Sequence, residues 1–421
     1  MSENDAEPPA DKPTPYPRSQ QQGSSEDSAD GAARHRAKRR PRIGRLSARI
    51  AIALVSVIAL LATGYAYTVV STLQGSVHTT DALEGLDQDS PQAPPDKDGA
   101  IDILLVGTDA RTDMQGNPLP RETLKLLSTE RSPGVNTDTV IILRVPKHGG
   151  APTAVSIPRD TWVHAPSGGM AKINSVYGRA KARATRQLRA EGVTDPAEIA
   201  RKSNDAGRAA LIQTVQRFTQ LNLDHYAEVN LLGFYLLTKA LGGVSVCLKA
   251  ATHDKDSGAH FPAGVQELSA AEAMSFVRQR KNIAGPGLGR IKRQQAFLAS
   301  ALHKVLSAGT LTNPDKLREL ADAVQRSVVM DPDLKLLEFA QKVKGIASGD
   351  VSFLTIPVIT ISGRSPEGLS IVKVDTTRVR AFLDKLVEPD RAARPSSGGG
   401  GSPGTAVLPS RMTPEGIPCV Y

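Results

Sequence analysis

Apolar residues occur along this chain in blocks whose spacing predicts alternating strands and helices. Continuous apolar runs at Ile101–Gly107, Thr139–Val145 and Thr153–Ile157 predict buried strands of a central sheet. Shorter strands are predicted at Tyr226–Val229, Val244–Leu248 and Val351–Thr355. Apolar positions at helical spacing predict helices over 205–221, 231–241, 270–277, 288–306 and 332–344. This alternation predicts an α/β domain with a central, mostly buried mixed sheet flanked by helices.

The longest apolar run stands near the N-terminus and predicts a membrane span. Ile50–Val70 carries no charge, and as a helix it would be ~31 Å long, which matches the hydrocarbon core of a bilayer. Eight Lys or Arg residues lie between Arg34 and Arg49, which predicts a cytoplasmic N-terminus. A cleaved signal peptide is the alternative, but the run is long for one and lacks an A-x-A pattern near its end. We therefore expect a single-pass protein of the cell membrane with an extracytoplasmic C-terminal part.

These patterns divide the 421-residue chain into five segments. Residues 1–49 are predicted to be a disordered cytoplasmic tail with the basic block, 50–70 the transmembrane helix and 71–100 a polar linker. The folded extracytoplasmic domain is expected over 101–390. A Gly/Pro/Ser-rich, flexible arm is expected over 391–421.

Charge and cysteine content narrow the classes of partner. The formal charge of +9 suits an anionic ligand or a membrane surface, and alone it is too weak to indicate nucleic acid. A DNA-binding role for the basic block is disfavoured because an apolar span follows it directly. The chain has two cysteines, Cys247 and Cys419, and no CxxC or Cys/His metal spacing. In an extracytoplasmic domain the two can form a disulfide; two unrelated buried thiols are the alternative.

Several common reaction classes lack their motifs in this sequence. The chain has no P-loop, no dinucleotide-binding fingerprint, no HExxH and no GxSxG. The eight histidines are scattered without ligand spacing. The residues left to carry chemistry are Asp and Arg at the ends of the predicted strands.

The first group of such residues follows the predicted sheet. The first strand runs into Asp109 and Arg111, Asp138 opens the second, and the third ends at Arg159-Asp160. Because α/β folds bind ligands at one rim of the sheet, these side chains are expected to converge. Carboxylates there could hold Mg²⁺, which often shares its oxygen ligands with substrate phosphates. Structural Arg–Asp salt bridges are the alternative.

The second group combines arginines from two neighbouring segments. Its members are Arg278, Arg280, Arg290, Arg293 and Gln294. The planar guanidinium fork matches phosphate oxygens. A solvated helix face would account for Arg290 and Arg293 singly, since Arg290 and Gln294 are expected opposite the apolar stripe of helix 288–306. It accounts for the whole cluster less well, because three arginines repel one another without an anion between them.

Eight short motifs give the chain a family resemblance. In order they are ILLVGTDAR (103–111), NTDT (136–139), SIPRDT (156–161), KINSVY (172–177), LGGV (241–244), VRQR (277–280), GRIKRQQ (289–295) and GIPCV (416–420). This series resembles the LytR-CpsA-Psr family, and the last motif resembles its actinobacterial members. The resemblance covers about 102–307 and the C-terminal motif.

The resemblance implies a cell-wall glycopolymer ligase. Such an enzyme moves a glycan phosphate from a polyprenyl-pyrophosphate carrier to a peptidoglycan sugar hydroxyl, with Mg²⁺ as cofactor. The metal ligands implied are Asp138 and Asp160. The catalytic residues implied are Asp109, Arg111, Arg159 and Arg290. The residues implied to bind substrate are Arg278, Arg280, Arg293, Gln294 and Asn174. Leu and Val residues of 211–241 would line a groove for the prenyl chain or serve as ordinary core.

The sequence departs from the family pattern at one position. The family usually has an acidic residue three positions before the equivalent of Arg290, where this chain has Gly287. That departure favours an alternative function, a catalytically weak polyprenyl-phosphate-binding or regulatory membrane protein.

Overall fold

The structure, a computed structural model, describes the larger part of the unit Ala62–Tyr421. The described residues are 78–84, 99–114, 116–127, 134–147, 151–284, 288–306, 313–334, 351–386 and 417–421. The predicted tail, the predicted transmembrane helix and most of the predicted linker and C-terminal arm lie outside these ranges. Among the described helices, none is both long and apolar enough to cross a membrane.

The elements of the described residues alternate much as the apolar pattern predicts. The strands are β1 (His78–Thr79), β2 (Ala100–Thr108), β3 (Thr137–Pro146), β4 (Thr153–Ser156), β5 (Trp162–His164), β6 (Met170–Lys172), β7 (His225–Asn230), β8 (Val244–Leu248), β9 (Thr252–Asp254), β10 (Ala259–Phe261), β11 (Gly264–Leu268), β12 (Val328–Met330), β13 (Ser352–Thr355), β14 (Thr360–Arg364), β15 (Ser370–Lys373) and β16 (Cys419–Val420). The helices are α1 (Arg121–Leu126), α2 (Ile173–Ala190), α3 (Pro196–Thr219), α4 (Leu231–Ala240), α5 (Ala270–Arg278), α6 (Leu288–Leu306), α7 (Pro314–Ser327) and α8 (Thr376–Asp384).

A seven-stranded mixed sheet forms the centre of the fold. Its strand order is β1-β12-β7-β2-β3-β4-β13. Strand β2 pairs parallel with β7 and antiparallel with β3, so Thr108 lies opposite both Asn230 and Thr137. Leu104 and Ile142 of the central strands are fully buried, as expected for strands covered on both faces. The end of β2 and the start of β3 therefore meet at one rim of the sheet.

Different helices cover the two faces of this sheet. On one face Leu104 and Val106 pack with Tyr177 of α2 and Leu211 of α3. Gly207 allows this close approach, because a Cβ there would come within 2.8 Å of the Tyr177 ring. On the other face Ile141 and its neighbours pack against α6. A third cluster fills the space between α5, α6 and the smaller sheet β11-β8-β16.

Several parts of the chain differ from the sequence-based expectation, and three of them bear on the central sheet and its helices. Helix α2 was not predicted, because its four buried side chains all lie within its first five residues and the rest is arginine-rich. The linker contributes β1 to the central sheet and Ala82 to the core. Of the helix expected over 332–344, the described residues Pro332 and Asp333 form a turn, and 335–344 lie outside the described ranges.

The C-terminal residues return to the fold as a strand. Strand β16 pairs parallel with β8 and places Cys419 directly opposite Cys247. The two sulfur atoms lie at disulfide distance, with the Cα atoms 4.4 Å apart. This is the pairing that the cysteine count predicts for an extracytoplasmic domain.

Candidate functional site

A cavity of about 850 Å³ opens on the face of the sheet that α4, α5 and α6 cover. Its apolar wall is formed by Leu105, Ile141, Ala227, Val229, Phe234, Leu237, Leu241, Met274, Val277, Phe297, Leu298 and Ala301. Of the predicted groove over 211–241, the second half lines this cavity. Leu211 of the first half lies instead in the core on the opposite face of the sheet. A mostly apolar cavity of this size with a few polar groups is typical of a small-molecule site.

One end of the cavity is polar. The residues there are Asp109, Asn136, Asp138, Arg159, Arg278, Arg280, Lys281, Arg290 and Gln294. Arg280 exposes 62% of its side chain and Asp138 exposes 31%, so this end opens to solvent. Three residues of the first group (Asp109, Asp138 and Arg159) therefore meet four of the second (Arg278, Arg280, Arg290 and Gln294). We call this polar end the mouth.

Asp109 is held at the mouth by Asn136. The Asn136 N–H and its side-chain amide donate to the two carboxylate oxygens of Asp109, and the Asp109 N–H donates to the Asn136 carbonyl at 3.0 Å. Burial raises the pKa of the Asp109 carboxyl, although the Asn136 hydrogen bonds oppose the shift. A carboxylate with a raised pKa is suited to accept a proton near neutral pH.

Arg290 places a buried cation at the mouth. It lies in the first turn of α6 with 8% of its surface exposed, and its Nε has no hydrogen-bond partner among the described residues. Burial lowers its pKa to about 10, so the guanidinium remains charged at neutral pH. A buried cation with an unused donor favours an incoming anion. This burial argues against the alternative explanation of Arg290 as part of a solvated helix face; Lys292 is the exposed cation of that turn.

The other arginines are fixed by different partners. Arg278 ends α5, and its Nη1 donates to the main-chain carbonyl of Leu127 at 2.6 Å. Burial lowers the pKa of Arg278. Arg159 forms an ion pair with Asp138, and the Arg280 Nη2 lies 4.0 Å from the second oxygen of the same carboxylate. Asp138 is thus shared between two guanidinium groups.

The two predicted metal ligands lie on either side of Arg159. Asp160 is 3.8 Å from the Arg159 Nε and 3.0 Å from the Lys172 Nζ, and it does not line the cavity. Within the described ranges no group of three His, Cys, Asp or Glu side chains could hold a metal. Asp138 and Asp160 supply two accessible carboxylates. They fit the common mode of Mg²⁺ binding, in which substrate phosphates supply further oxygen ligands.

Besides Asp160, three predicted site residues lie outside the cavity wall. Arg111 is half-buried, and its Nε and Nη2 have no hydrogen-bond partner among the described residues. Asn174 is buried in the first turn of α2, where its N–H donates to the Arg159 carbonyl at 3.1 Å. Arg293 is fully buried and bonded to protein atoms. Asn174 thus supports the backbone of Arg159 from behind the mouth.

Asp254, which lines the cavity next to the mouth, had no signal in the sequence. The Asp254 Oδ2 accepts hydrogen bonds from the N–H groups of Arg280 and Lys281, each at 3.2 Å. Burial alone would raise the pKa of Asp254, but these backbone donors hold it below its ordinary value. Asp254 lies far before the arginines in sequence, so no local motif connects them.

Comparison with known proteins identifies the class to which this fold and site belong. The sequence model of the LytR_cpsA_psr family matches residues 66–388. The chain therefore belongs to the LytR-CpsA-Psr family, as its motifs predict.

Two relatives and one solved structure illustrate the similarity. The chain is 46% identical over 341 residues to the cell wall biosynthesis protein LcpA of Corynebacterium glutamicum, covering 80% of this chain and 65% of LcpA. It is 30% identical over 239 residues to the polyisoprenyl-teichoic acid–peptidoglycan teichoic acid transferase TagU of Oceanobacillus iheyensis, covering 57% of this chain and 61% of TagU. The match thus spans less than two thirds of either relative. Protein gbs0355 of Streptococcus agalactiae shares the fold at a TM-score of 0.50 and 16% identity, covering 72% of this chain and 91% of that chain.

Proposed function

We propose that this protein is a phosphotransferase that moves a glycan phosphate from a polyprenyl-pyrophosphate carrier to a sugar hydroxyl of peptidoglycan. One observation carries the proposal: the arginine-rich mouth opens into a single apolar cavity of about 850 Å³. A prenyl pyrophosphate has the matching chemistry, a charged head on a hydrocarbon tail. The relatives named for cell wall biosynthesis and teichoic acid transfer support the same class of reaction.

The residues of the mouth divide the work of such a transfer. The guanidinium groups of Arg159, Arg278, Arg280 and Arg290 would bind the pyrophosphate oxygens and neutralise the charge that develops on them. The acceptor hydroxyl attacks the phosphorus that carries the glycan, and its proton passes to the Asp109 carboxylate. The bond from that phosphorus to the bridging oxygen breaks, and prenyl phosphate leaves with the electron pair.

Asp138 and Asp160 are the residues proposed to hold Mg²⁺ together with substrate oxygens. When bound, the ion would supply further charge neutralisation on the transferring phosphate. Asp138 would then exchange part of its contact with Arg159, which would free that guanidinium for the substrate.

A protein that holds polyprenyl phosphates without turnover is the second candidate function. Gly287 favours it, because glycine supplies no acid where the family usually has one. Residue 287 lies outside the described ranges. Asp109 weighs against this candidate, since its carboxylate lines the mouth and its pKa is raised.

The proposal is tested by separating the head from the tail of the ligand. Ala301→Trp should fill part of the apolar end of the cavity. It should therefore abolish binding of geranylgeranyl pyrophosphate and leave binding of inorganic pyrophosphate unchanged. Arg280→Ala should weaken binding of both ligands by roughly 10-fold or more. The control Lys292→Trp changes an exposed position of the same helix and should affect neither. The proposal fails if Ala301→Trp leaves prenyl pyrophosphate binding intact, or if wild type releases no prenyl phosphate from a glycan-linked donor in the presence of acceptor.

A further inference from the structure

Arg293 is a fully buried cation that stands outside the cavity. Its Nε donates to the main-chain oxygen of Tyr421 at 2.8 Å, and its Nη1 donates to the Gln279 Oε1 at 2.6 Å. Its guanidinium carbon lies 4.9 Å from the centre of the Phe276 ring. Burial lowers its pKa to about 10, so it stays charged at neutral pH. A buried charge is costly to leave unbonded, so these contacts fix its position.

We call residues 278–281, which carry Arg278 at the end of α5 and Arg280 just after it, the arginine-bearing loop. Gln279 links this loop to Arg293. Gln279 lies between Arg278 and Arg280 in sequence, and it is fully buried. The Gln279 Oε1 accepts from Arg293, while its Nε2 donates to the Thr252 hydroxyl and, at 2.8 Å, to the Lys281 carbonyl. One amide therefore joins α6, β9 and the loop. Any shift of this amide moves the backbone that carries both arginines.

The other end of the Arg293 contact is anchored by β16. The Lys249 N–H donates to the Val420 carbonyl at 2.8 Å, and Cys419 lies at disulfide distance from Cys247. The main-chain oxygen of Tyr421 is thereby held against β8. A continuous series of bonded contacts runs from β8 through β16 and Arg293 to Gln279.

We infer that Arg293 is a positioning residue that couples the cysteine-anchored strand β16 to the loop bearing Arg278 and Arg280. The role differs from the direct substrate binding that the family resemblance implies. Loss of the guanidinium would leave the buried Gln279 Oε1 and the Tyr421 oxygen without this donor. The loop would then lose one of its supports, which also include the Asp254 carboxylate. In naming the loop's ligand as pyrophosphate, the inference rests on the proposed function.

Two measurements on the full-length chain in lipid nanodiscs test the coupling. The first is hydrogen–deuterium exchange at the amides of Arg280 and Lys281, which needs no ligand. The second is the Kd for geranylgeranyl pyrophosphate. Arg293→Met should speed exchange at both amides and weaken binding by about 10-fold. Arg293→Lys, which keeps the charge and one donor direction, should recover part of each effect. Lys292→Met is the matched control and should change neither.

A double-mutant cycle tests whether Arg293 acts through β16. Cys419→Ser should produce the same loop exchange as Arg293→Met, and the double variant should show little more than either single one, because both break the same series of contacts. Additive effects, or unchanged loop exchange in Arg293→Met, would overturn the inference. If wild type does not bind the prenyl pyrophosphate, the proposed function falls, and loop exchange alone decides the positioning role. If Arg293→Met does not fold, Arg293→Lys and Cys419→Ser supply the exchange result.

Discussion

Replacing Arg290 by methionine should change stability and ligand affinity in opposite directions. Burial lowers the pKa of Arg290 to about 10, well below the value of an ordinary arginine side chain. One pKa unit corresponds to about 1.4 kcal/mol, so the charged form is penalised by roughly 3 kcal/mol in the folded state. Methionine has a similar length and no charge. Arg290→Met should therefore raise the free energy of unfolding of the ligand-free protein, with ~3 kcal/mol as the upper limit.

The same change should weaken pyrophosphate binding. A hydrogen bond to a charged group is worth about 1.5 to 3 kcal/mol, which corresponds to roughly 10- to 150-fold in Kd. The buried position of Arg290 places it toward the upper end of that range, because little solvent screens the contact.

The pH dependence of the free energy of unfolding tests independently whether Arg290 destabilises the ligand-free protein. The folded-state pKa of Arg290 lies below its unfolded value, so the folded state binds that proton less tightly. The penalty is fully present at neutral pH and is relieved as pH rises from about 10 toward the higher pKa of the unfolded chain. Wild type should gain stability over this window relative to Arg290→Met.

Urea denaturation without ligand and calorimetric titration with geranylgeranyl pyrophosphate measure the two effects. Lys292→Met is the control, because Lys292 is exposed on the same helix and should be nearly neutral in both assays. If Arg290→Met destabilises the ligand-free protein by more than about 1 kcal/mol, Arg290 is a structural partner and the reasoning from burial is wrong.

Four further predictions follow from the site and the membrane-span pattern. Asp109→Asn should lower turnover by about 10² to 10⁴-fold. The wild-type rate should fall as the pH drops through the pKa of Asp109, which burial raises above its ordinary value of 3.8, and Asp109→Asn should lose this fall. Asp138→Asn should weaken the Mg²⁺ dependence of turnover, measured by titrating the metal at saturating donor; an unchanged metal midpoint would exclude Asp138 as a ligand. Gly287→Asp should raise single-turnover release of prenyl phosphate without changing donor affinity, and equal, fast release from both forms would show that the acid is dispensable. Protease added to intact spheroplasts should digest the domain after Asp102 and spare the N-terminal tail; protection of the domain would reverse the predicted topology.

The sequence predicted the elements whose stability depends on local pattern. The apolar runs of β2, β3 and β4 can be satisfied only in a sheet covered on both faces, and helix 288–306 agrees with α6 at both ends. At the start of α5, Ser269 and Glu272 form a capping box, a local pattern that is itself readable in the sequence. Helix α2 escaped prediction because most of its length faces solvent, which leaves no apolar period to detect.

The residues of the candidate site likewise include some that a local pattern predicts and some that it does not. Residues at strand ends were brought together because a sheet aligns those ends, so Asp109, Asp138 and Arg159 converge as predicted. Asp254 and Arg293 depend on pairings between distant parts of the chain. Such pairings produce no recognisable motif in the sequence. The sequence alone also does not distinguish an arginine that binds a ligand from one that holds a loop in place.

The absence of an acid at position 287 does not by itself separate a transferase from a binding protein. A general base needs a free lone pair at the mouth and a pKa near the working pH. Asp109 lines the mouth, and burial moves its pKa in the required direction. An ionised carboxylate offers about four acceptor positions, and Asn136 occupies two of those on Asp109. The remaining positions leave room for an acceptor hydroxyl, so transfer chemistry requires no carboxylate at 287.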